Sequence, residues 1–468
     1  MSQGSTNLEN FQKFLKGSTI LMIMVLVLAM FFIGYKLSSH NDAVIDSALL
    51  ERIKPIGEVS IDSSMAATSS ESSGKAERSG EEISVSSISA SEESIIRTND
   101  IAINKLVFKI GSGSLVQSVF GNQLFVSERL SGIVKLFKLS GKELILESSV
   151  QLIHELDKIL ILDIHSASLD DLYISYVDYS DSIGSCGTTK ITHLKKFKSQ
   201  KVIYKSTPCL SGVGAWKEIA GRMTSDGKLL FMTGGNILTD IYRNQFPRGG
   251  GLCCDLPKSY EETMRTSNLY GKIVSVNLEN LKAETFASGF RGPQCLAWDQ
   301  YRGRLWETEH GPQGGDELNH ISKGKDYGWP FVSLGLPYTP EFDVPSGLPK
   351  QPIYGNHTGY TAPVFYWSPS IAPSQLIIFE KNSPFFKSFP NDLVVSTLKD
   401  KSLIKISMTK SGAVQSTERI EIGDRIRDLS SSSVGLVLST DFGELIVLTP
   451  NFDVDLVGPY PPVGVRPP

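Results

Sequence analysis

Residues 290–330, FRGPQCLAWDQYRGRLWETEHGPQGGDELNHISKGKDYGWP, carry more chemistry per residue than any other part of the 468-residue chain. A strand-like run ends in a Gly-rich acidic turn, EHGPQGGDE, followed by the aromatic turn YGWP. Glycines in such a turn let the backbone adopt positive φ and approach a ligand closely. The carbonyls of Gly311 and Pro312 and the carboxylate of Asp316 are oxygen donors of the kind a hard cation such as Ca2+ takes. His310 has the chemistry of a base or a ligand, and equally of a structural histidine. Further along stand Trp367, Ser370, Lys399, Arg425 and Arg427. Together with Arg291 they fall where strand patterns meet loops. Arg425 and Arg427 are two apart, so on a strand they share a face. Arginine forks and a lysine point charge converging from several loops make a pocket for carboxylates. Taken singly, each is equally a surface charge or half of a salt bridge, and the turn is equally a tight turn around a buried Trp.

The elements that would have to converge are strands. From residue 101 to 450 short apolar runs alternate with polar positions between Gly, Asp and Asn turns, and no sustained 3.6-residue period appears. Six paired runs recur, beginning near Asn122, Asp171, Lys228, Arg304, Asp392 and Gly435. Strand repeats of this length predict an all-β six-bladed β-propeller, whose radial closure removes exposed sheet edges and brings loops from distant sequence to one axis. Two β-sandwiches are the other arrangement, but no linker-like break divides 101–450.

The remaining segments are of other kinds. Residues 1–16 are polar, and residues 17–35 run without a charge through ILMIMVLVLAMFFIG. At about 1.5 Å per residue this nearly spans a roughly 30 Å hydrocarbon core. The expectation is an uncleaved transmembrane anchor with a cytoplasmic tail and the rest extracytoplasmic, a cleaved signal peptide being the competitor. Residues 36–100, rich in Ser and Glu toward their end, are expected to be a disordered linker. Residues 451–468 form a Pro-rich tail. A net charge of −4 excludes the basic footprint of a nucleic-acid binder. Five cysteines include no CxxC pair, and Cys186 and Cys209 flank a plausible hairpin where a disulfide is expected if the compartment is oxidising.

The strings FRGPQCLAWD, EHGPQGGDELN, GKDYGWP, YWSPSIAPS, STLKDKSL and GDRIRDL, in this order, resemble the soluble pyrroloquinoline-quinone-dependent aldose (glucose/sorbosone) dehydrogenases. The resemblance covers about residues 116–448 and is strongest in the second half. It implies a six-bladed propeller, a tricarboxylate quinone cofactor, a Ca2+ ion and an aldose oxidised at C1, with hydride passing to the quinone; the electron acceptor beyond it is unidentified. On that resemblance Arg291, Lys399, Arg425 and Arg427 hold the quinone, Trp367 and Ser370 line its pocket, the Gly311 and Pro312 carbonyls bind Ca2+, and Asp316 is an acidic partner. The chain departs from the pattern at the base. Glu218 stands where the family has a catalytic His, the run Thr233-Gly234-Gly235-Asn236 where it has Thr-x-Gly-Asp with the Asp that orients that His, Lys158-Ile159-Leu160 where it has Gln-Gly-Gly, and Gly292 where it usually has Asn. A carboxylate can serve as base if burial raises its pKa. The alternative is a catalytically inactive propeller that binds carbohydrate or protein.

Overall fold

The computed structural model describes residues 87–152, 159–179, 186–207, 210–211, 220–236, 268–336 and 353–453. They form the expected six-bladed propeller, each blade an antiparallel meander counted from the axis outward. Blade one is Leu115–Phe120, Gln123–Glu128, Ile133–Ser140 and Glu143–Gln151. Blade two is Ile159–Ser166, Asp171–Asp178, Cys186–Lys195 and Ser199–Lys205. Blade three is Ala220–Ser225, Leu229–Gly234, Lys272–Asn277 and Ala283–Ser288. Blade four is Pro293–Asp299, Arg304–Glu309, Asp316–Ile321 and Phe365–Trp367. Blade five is Pro373–Ile378, Leu393–Thr397, Ser402–Met408 and Val414–Glu421. Blade six is Ile426–Ser432, Gly435–Thr440 and Glu444–Asn451, completed from the other end of the domain by Ala102–Lys109 and Glu92–Arg97. The six innermost strands touch in turn, and the last touches the first, so the ring is closed.

The sequence explains this packing. Middle strands lie between two neighbouring blades, so both of their faces are buried, and they read as continuous apolar runs. Leu393–Thr397 and Gly435–Thr440 are buried at every position, whereas the outer strand Val414–Glu421 is mostly exposed. Six hydrophobic clusters fill the six wedges between blades. Val394, Leu403, Ile426 and Leu438 fill the wedge between blades five and six. Each such side chain stabilises the fold by about 1.5–3 kcal/mol when fully buried.

Blade six closes the ring with strands distant in sequence, in a register running from Glu444↔Lys109 to Asn451↔Ala102. Here the linker expectation is corrected. Residues 87–97 lie inside the stretch expected to be disordered, yet Ser87–Ser89 pairs with the outer strand of blade one and Glu92–Arg97 with Ala102–Lys109. Composition understated them because an edge strand is held chiefly by backbone hydrogen bonds to a preformed neighbour, not by its own apolar content. The apolar run at 17–35, Glu218, Cys209, Cys253, Cys254 and the tail beyond residue 453 lie outside the described residues. Among the described residues no helix is long and apolar enough to cross a membrane, and Cys295 is a buried free thiol.

Candidate functional site

Antiparallel meanders put the starts of the inner strands and the ends of the second strands at the same mouth of the channel. Arg425 and Arg427 straddle the start of Ile426–Ser432, and Asp441 follows Gly435–Thr440. Asp441 binds both arginines: Arg427 Nε to Oδ1 at 2.8 Å, Arg427 Nη2 to Oδ2 at 3.2 Å, and Arg425 Nε to Oδ2 at 3.0 Å. Ser114 Oγ adds a bond of 2.9 Å. Burial pushes the Asp441 carboxyl up, but the Arg427 charge and these hydrogen bonds outweigh it and hold the group below the usual carboxylate range. Arg425 Nη1 also reaches the Leu398 carbonyl at 3.4 Å, which brings it beside Lys399. Lys399 is exposed, and its ammonium makes no ion pair or hydrogen bond to the described residues.

Arg129 completes this group. It was not singled out from sequence, although it follows the second strand of blade one at the same kind of junction that marked Lys399. Its Nε donates to Ile161 O at 3.0 Å. Burial, with the charges of Arg427 and Arg222, pushes its guanidinium down to about 9. The mouth therefore collects Arg129, Lys399, Arg425 and Arg427 around the carboxylate of Asp441; burial first, and then the charges of Arg427 and Arg222, lower the Arg129 guanidinium.

Blade four supplies the adjoining rim. Asp316 is fully buried, and its oxygens accept four donors: Gly311 N at 3.0 Å, Ser370 Oγ at 2.6 Å, Ile371 N at 2.8 Å and Ala372 N at 2.8 Å. It joins the Gly-rich turn to the loop entering blade five, so in this structure its oxygens serve the backbone. Gly315 N donates to Trp367 O at 2.8 Å, and Trp367 packs edge-on against Phe365. The glycine is required: its φ is +68°, and a Cβ would sit 2.2 Å from Gly335 N. Pro312 is buried under Gly335. Arg291 is 3% exposed and lies over the Trp329 ring, its Nη1 donating to His310 O and Gly311 O, both at 2.9 Å. The Gly311 carbonyl thus faces a guanidinium. His310 Nε2 lies 2.7 Å from Pro373 O, a structural contact across blades. Lys399 N in turn donates to Ile371 O at 3.2 Å. A continuous line of contacts runs from Arg425 through Leu398, Lys399, Ile371 and Asp316 to Gly311 and Arg291.

Beneath Arg291 lies a buried acidic layer that the sequence does not mark as such, Glu307 reading as an ordinary strand position and Glu309 and Glu317 as the two ends of the Gly-rich acidic turn. Glu309 Oε2 accepts Arg291 N at 2.6 Å and Gly292 N at 3.2 Å. Burial first, then the charge of Glu317, pushes Glu309 up to about 8. Glu307 is raised as well, by burial and then by Glu309. Glu317 pairs with His357 at 2.9 Å. Burial pulls the His357 imidazole down, but the Glu317 hydrogen bond and charge exceed that and raise it. Among the described residues no three His, Cys, Asp or Glu side chains converge as a metal cluster, so a cation at this rim would depend on backbone carbonyls such as those of Gly311 and Pro312.

The channel is plugged below the mouth. Arg222 Nη1 lies 3.0 Å from Asp163 Oδ1 and 3.1 Å from Asp428 Oδ1, and its Nη2 donates to Arg427 O at 2.6 Å. Burial, opposed by Arg222, moves Asp163 up to about 6. Of the departures noted in sequence, Glu218 lies outside the described residues. Asn236, next to Gly235, is buried and donates its N–H to Arg291 O at 2.8 Å.

Fold and site together define a class: a six-bladed propeller whose axial mouth gathers cationic side chains. A family model described as Glucose / Sorbosone dehydrogenase matches residues 119–447, and the chain belongs to that family. It is 32% identical over 297 residues to the aldose sugar dehydrogenase YliI of Escherichia coli K12, across 60% of this chain and 73% of the relative. It is 23% identical over 224 residues to quinoprotein glucose dehydrogenase B of Acinetobacter calcoaceticus, across 36% and 47%. Among solved structures, the apo-form of the soluble aldose sugar dehydrogenase from Escherichia coli superposes with TM-score 0.56 at 24% identity, covering 75% of this chain and all of that one. A glucose dehydrogenase crystal structure gives TM-score 0.55 at 23% identity, covering 73% and 98%.

Proposed function

We propose that the chain is a membrane-anchored quinoprotein that oxidises an aldose at C1, with pyrroloquinoline quinone as cofactor and Ca2+ beside it. The carrying observation is the excess of positive charge at the mouth: Arg129, Lys399, Arg425 and Arg427 against Asp441. An aromatic tricarboxylate fits that excess. Lys399 offers an ammonium with no partner among the described residues, and Arg425 and Arg427 are already oriented by Asp441, so little side-chain freedom is lost on binding. Arg425, Arg427 and Lys399 would hold carboxylates. Arg291 would approach the quinone carbonyls, and Trp367 and Ser370 would line the pocket.

When bound, the quinone supplies the two-electron acceptor for hydride from the sugar's C1. The chain's own part is to bind and orient both molecules and to take the proton from the C1 hydroxyl. Glu218 is the residue proposed for that proton, in the place of the family histidine. The Gly311 and Pro312 carbonyls would hold Ca2+, with Arg291 Nη1 turned away from Gly311 O. The apolar run at 17–35 would anchor the chain, with residues 1–16 cytoplasmic and the propeller on the periplasmic side.

The test is dye reduction by protein loaded with quinone and Ca2+, across a panel of aldoses. Turnover with at least one aldose, lost in Glu218→Gln, supports the reading. A second reading, a propeller that binds but does not catalyse, is favoured by the changes at Glu218 and in the run Thr233-Gly234-Gly235-Asn236. It predicts quinone uptake without aldose-dependent dye reduction.

A further inference from the structure

Blade two carries a feature that the channel does not use. Its outer hairpin, Cys186–Lys195 and Ser199–Lys205, presents Lys195, Lys196, Lys198, Lys201 and Lys205, all of them exposed. The whole chain has a net charge of −4, so this wall is not a sample of its average composition. Nor do the other outer strands share it. Glu143–Gln151 on blade one carries only acidic charge, Val414–Glu421 on blade five and Glu92–Arg97 on blade six carry both signs, and Ala283–Ser288 on blade three carries only Glu284.

Lysines on an exposed edge strand ordinarily keep it from pairing with another chain. That explains Lys201 and Lys205, which lie on the edge strand, but not Lys195, Lys196 and Lys198, which lie in and beside the turn. The turn is built to hold them out. Phe197 packs its ring 5.8 Å from Phe125, in the wedge between blades one and two, and leaves its neighbours Lys196 and Lys198 on the surface. Lys196 and Phe197 have φ of +52° and +54°, a region that costs least at Gly or Asn. Few carboxylates answer the lysines. Asp171 already pairs with His193 Nε2 at 2.8 Å, and exposed Asp170 accepts Lys196 N at 2.6 Å through its carbonyl. The ammonium groups of Lys195, Lys196, Lys198 and Lys201 make no ion pair with a described residue. Apolar side chains share this wall, Val202 being 49% exposed and Leu169 42%. The described chain begins at Ser87, paired with the outer strand of blade one, and Gln200 Nε2 of the lysine hairpin donates to Gln151 O of that strand at 2.8 Å. The wall therefore adjoins the side on which residues 1–86 join the propeller.

We propose that this wall, Lys195, Lys196, Lys198 and Lys201 with Val202 and Leu169, docks on a bilayer surface of anionic lipid headgroups. Each lysine near such a surface is attracted to it, within about a Debye length. Exposed apolar side chains among lysines suit the boundary between headgroups and acyl chains, whereas a small anion in solution would leave Val202 and Leu169 without a use. The inference rests on the proposed anchor at 17–35, which keeps the propeller near a bilayer; the lysines then choose the side that faces it. Docked by its outer wall, the propeller keeps its cationic mouth open to sugar.

The test uses the full-length chain reconstituted with vesicles of phosphatidylcholine alone or mixed with phosphatidylglycerol. Flotation with phosphatidylcholine alone reads the anchor. Amine labelling of individual lysines, followed by mass spectrometry, reads the wall. With phosphatidylglycerol present, Lys196, Lys198 and Lys201 should label at least about tenfold more slowly. Lys410, exposed on blade five across the ring, should label at an unchanged rate. Lys196→Glu, Lys198→Glu and Lys201→Glu, combined, should remove the protection at an unchanged melting temperature. Salt of roughly 1 M, where the Debye length is about 3 Å, should remove it too. Failure to float with phosphatidylcholine alone would remove the anchor and not the wall, whose sign is then flotation with phosphatidylglycerol by the parent and not by the triple variant. Labelling that does not depend on the lipid, protection of Lys410 as well, or protection that survives the triple substitution would overturn the proposal. So would equal protection by soluble polyglutamate, which would assign the wall to an acidic protein.

Discussion

The fold disfavours charge on both Arg129 and Glu309, and each yields a prediction. Arg129 is buried and lies near the charges of Arg427 and Arg222, so its own charge opposes the fold in the apo chain, a cost that an anionic ligand would offset. Arg129→Met should therefore melt no lower than the parent in the apo state, yet bind the quinone more weakly. Differential scanning fluorimetry with and without quinone reads both effects. Glu309 is raised to about 8, above its unfolded value, as is His357 above its own. In both cases the folded chain holds more protons than the unfolded chain between the two values. Their contribution to stability is complete below the unfolded pKa and is lost as pH rises through the folded one. Stability should therefore fall from about pH 5 to pH 8, by at most about 1.4 kcal/mol per pH unit for each group. Glu309→Gln should flatten that slope in urea-unfolding curves; an unchanged slope would remove Glu309 as its source. At this scale the sequence was legible where a charge interrupts a strand-loop junction, as at Lys399, Arg425 and Arg427. It was not legible at Glu307, Glu309 and Glu317, because acidic residues at polar strand positions and in Gly-rich turns ordinarily face solvent, whereas here all three are buried.

The joint between blades four and five is built from the Gly-rich turn and Asp316. Four donors converge on one buried carboxylate, so Asp316→Ala leaves three backbone N–H groups and a hydroxyl unpaired. The expected loss is on the order of 3 kcal/mol or more, seen as a lower midpoint in denaturant at unchanged m-value. Gly315→Ala should destabilise through its positive φ and the contact with Gly335. Both changes should weaken quinone binding indirectly, because Ile371 positions Lys399. That the turn was special was legible from its glycines and acidic residues. Its geometry was not: Asp316 read as a possible metal ligand because residue type alone does not show whether carboxylate oxygens face an ion or backbone N–H groups.

The propeller is a ring closed by strands that lie before blade one in sequence. The six repeats were legible because the second strand of every blade is buried on both faces and so reads as a continuous apolar run. The closing strand Ala102–Lys109 and the edge strands at 87–97 were not, because their partners lie more than 300 residues away or at an outer edge. Removal of the strands through Lys109 should abolish the cooperative transition seen in a thermal melt. The account's central claim is that the closed ring presents one cationic mouth for a tricarboxylate quinone. Calorimetric titration of the apo chain with pyrroloquinoline quinone and Ca2+, for the parent and for Arg427→Ala, tests it most directly. The prediction is saturable binding at one quinone per chain, weakened at least about tenfold in the variant. No uptake by the parent, or equal affinity in the two proteins, would contradict it.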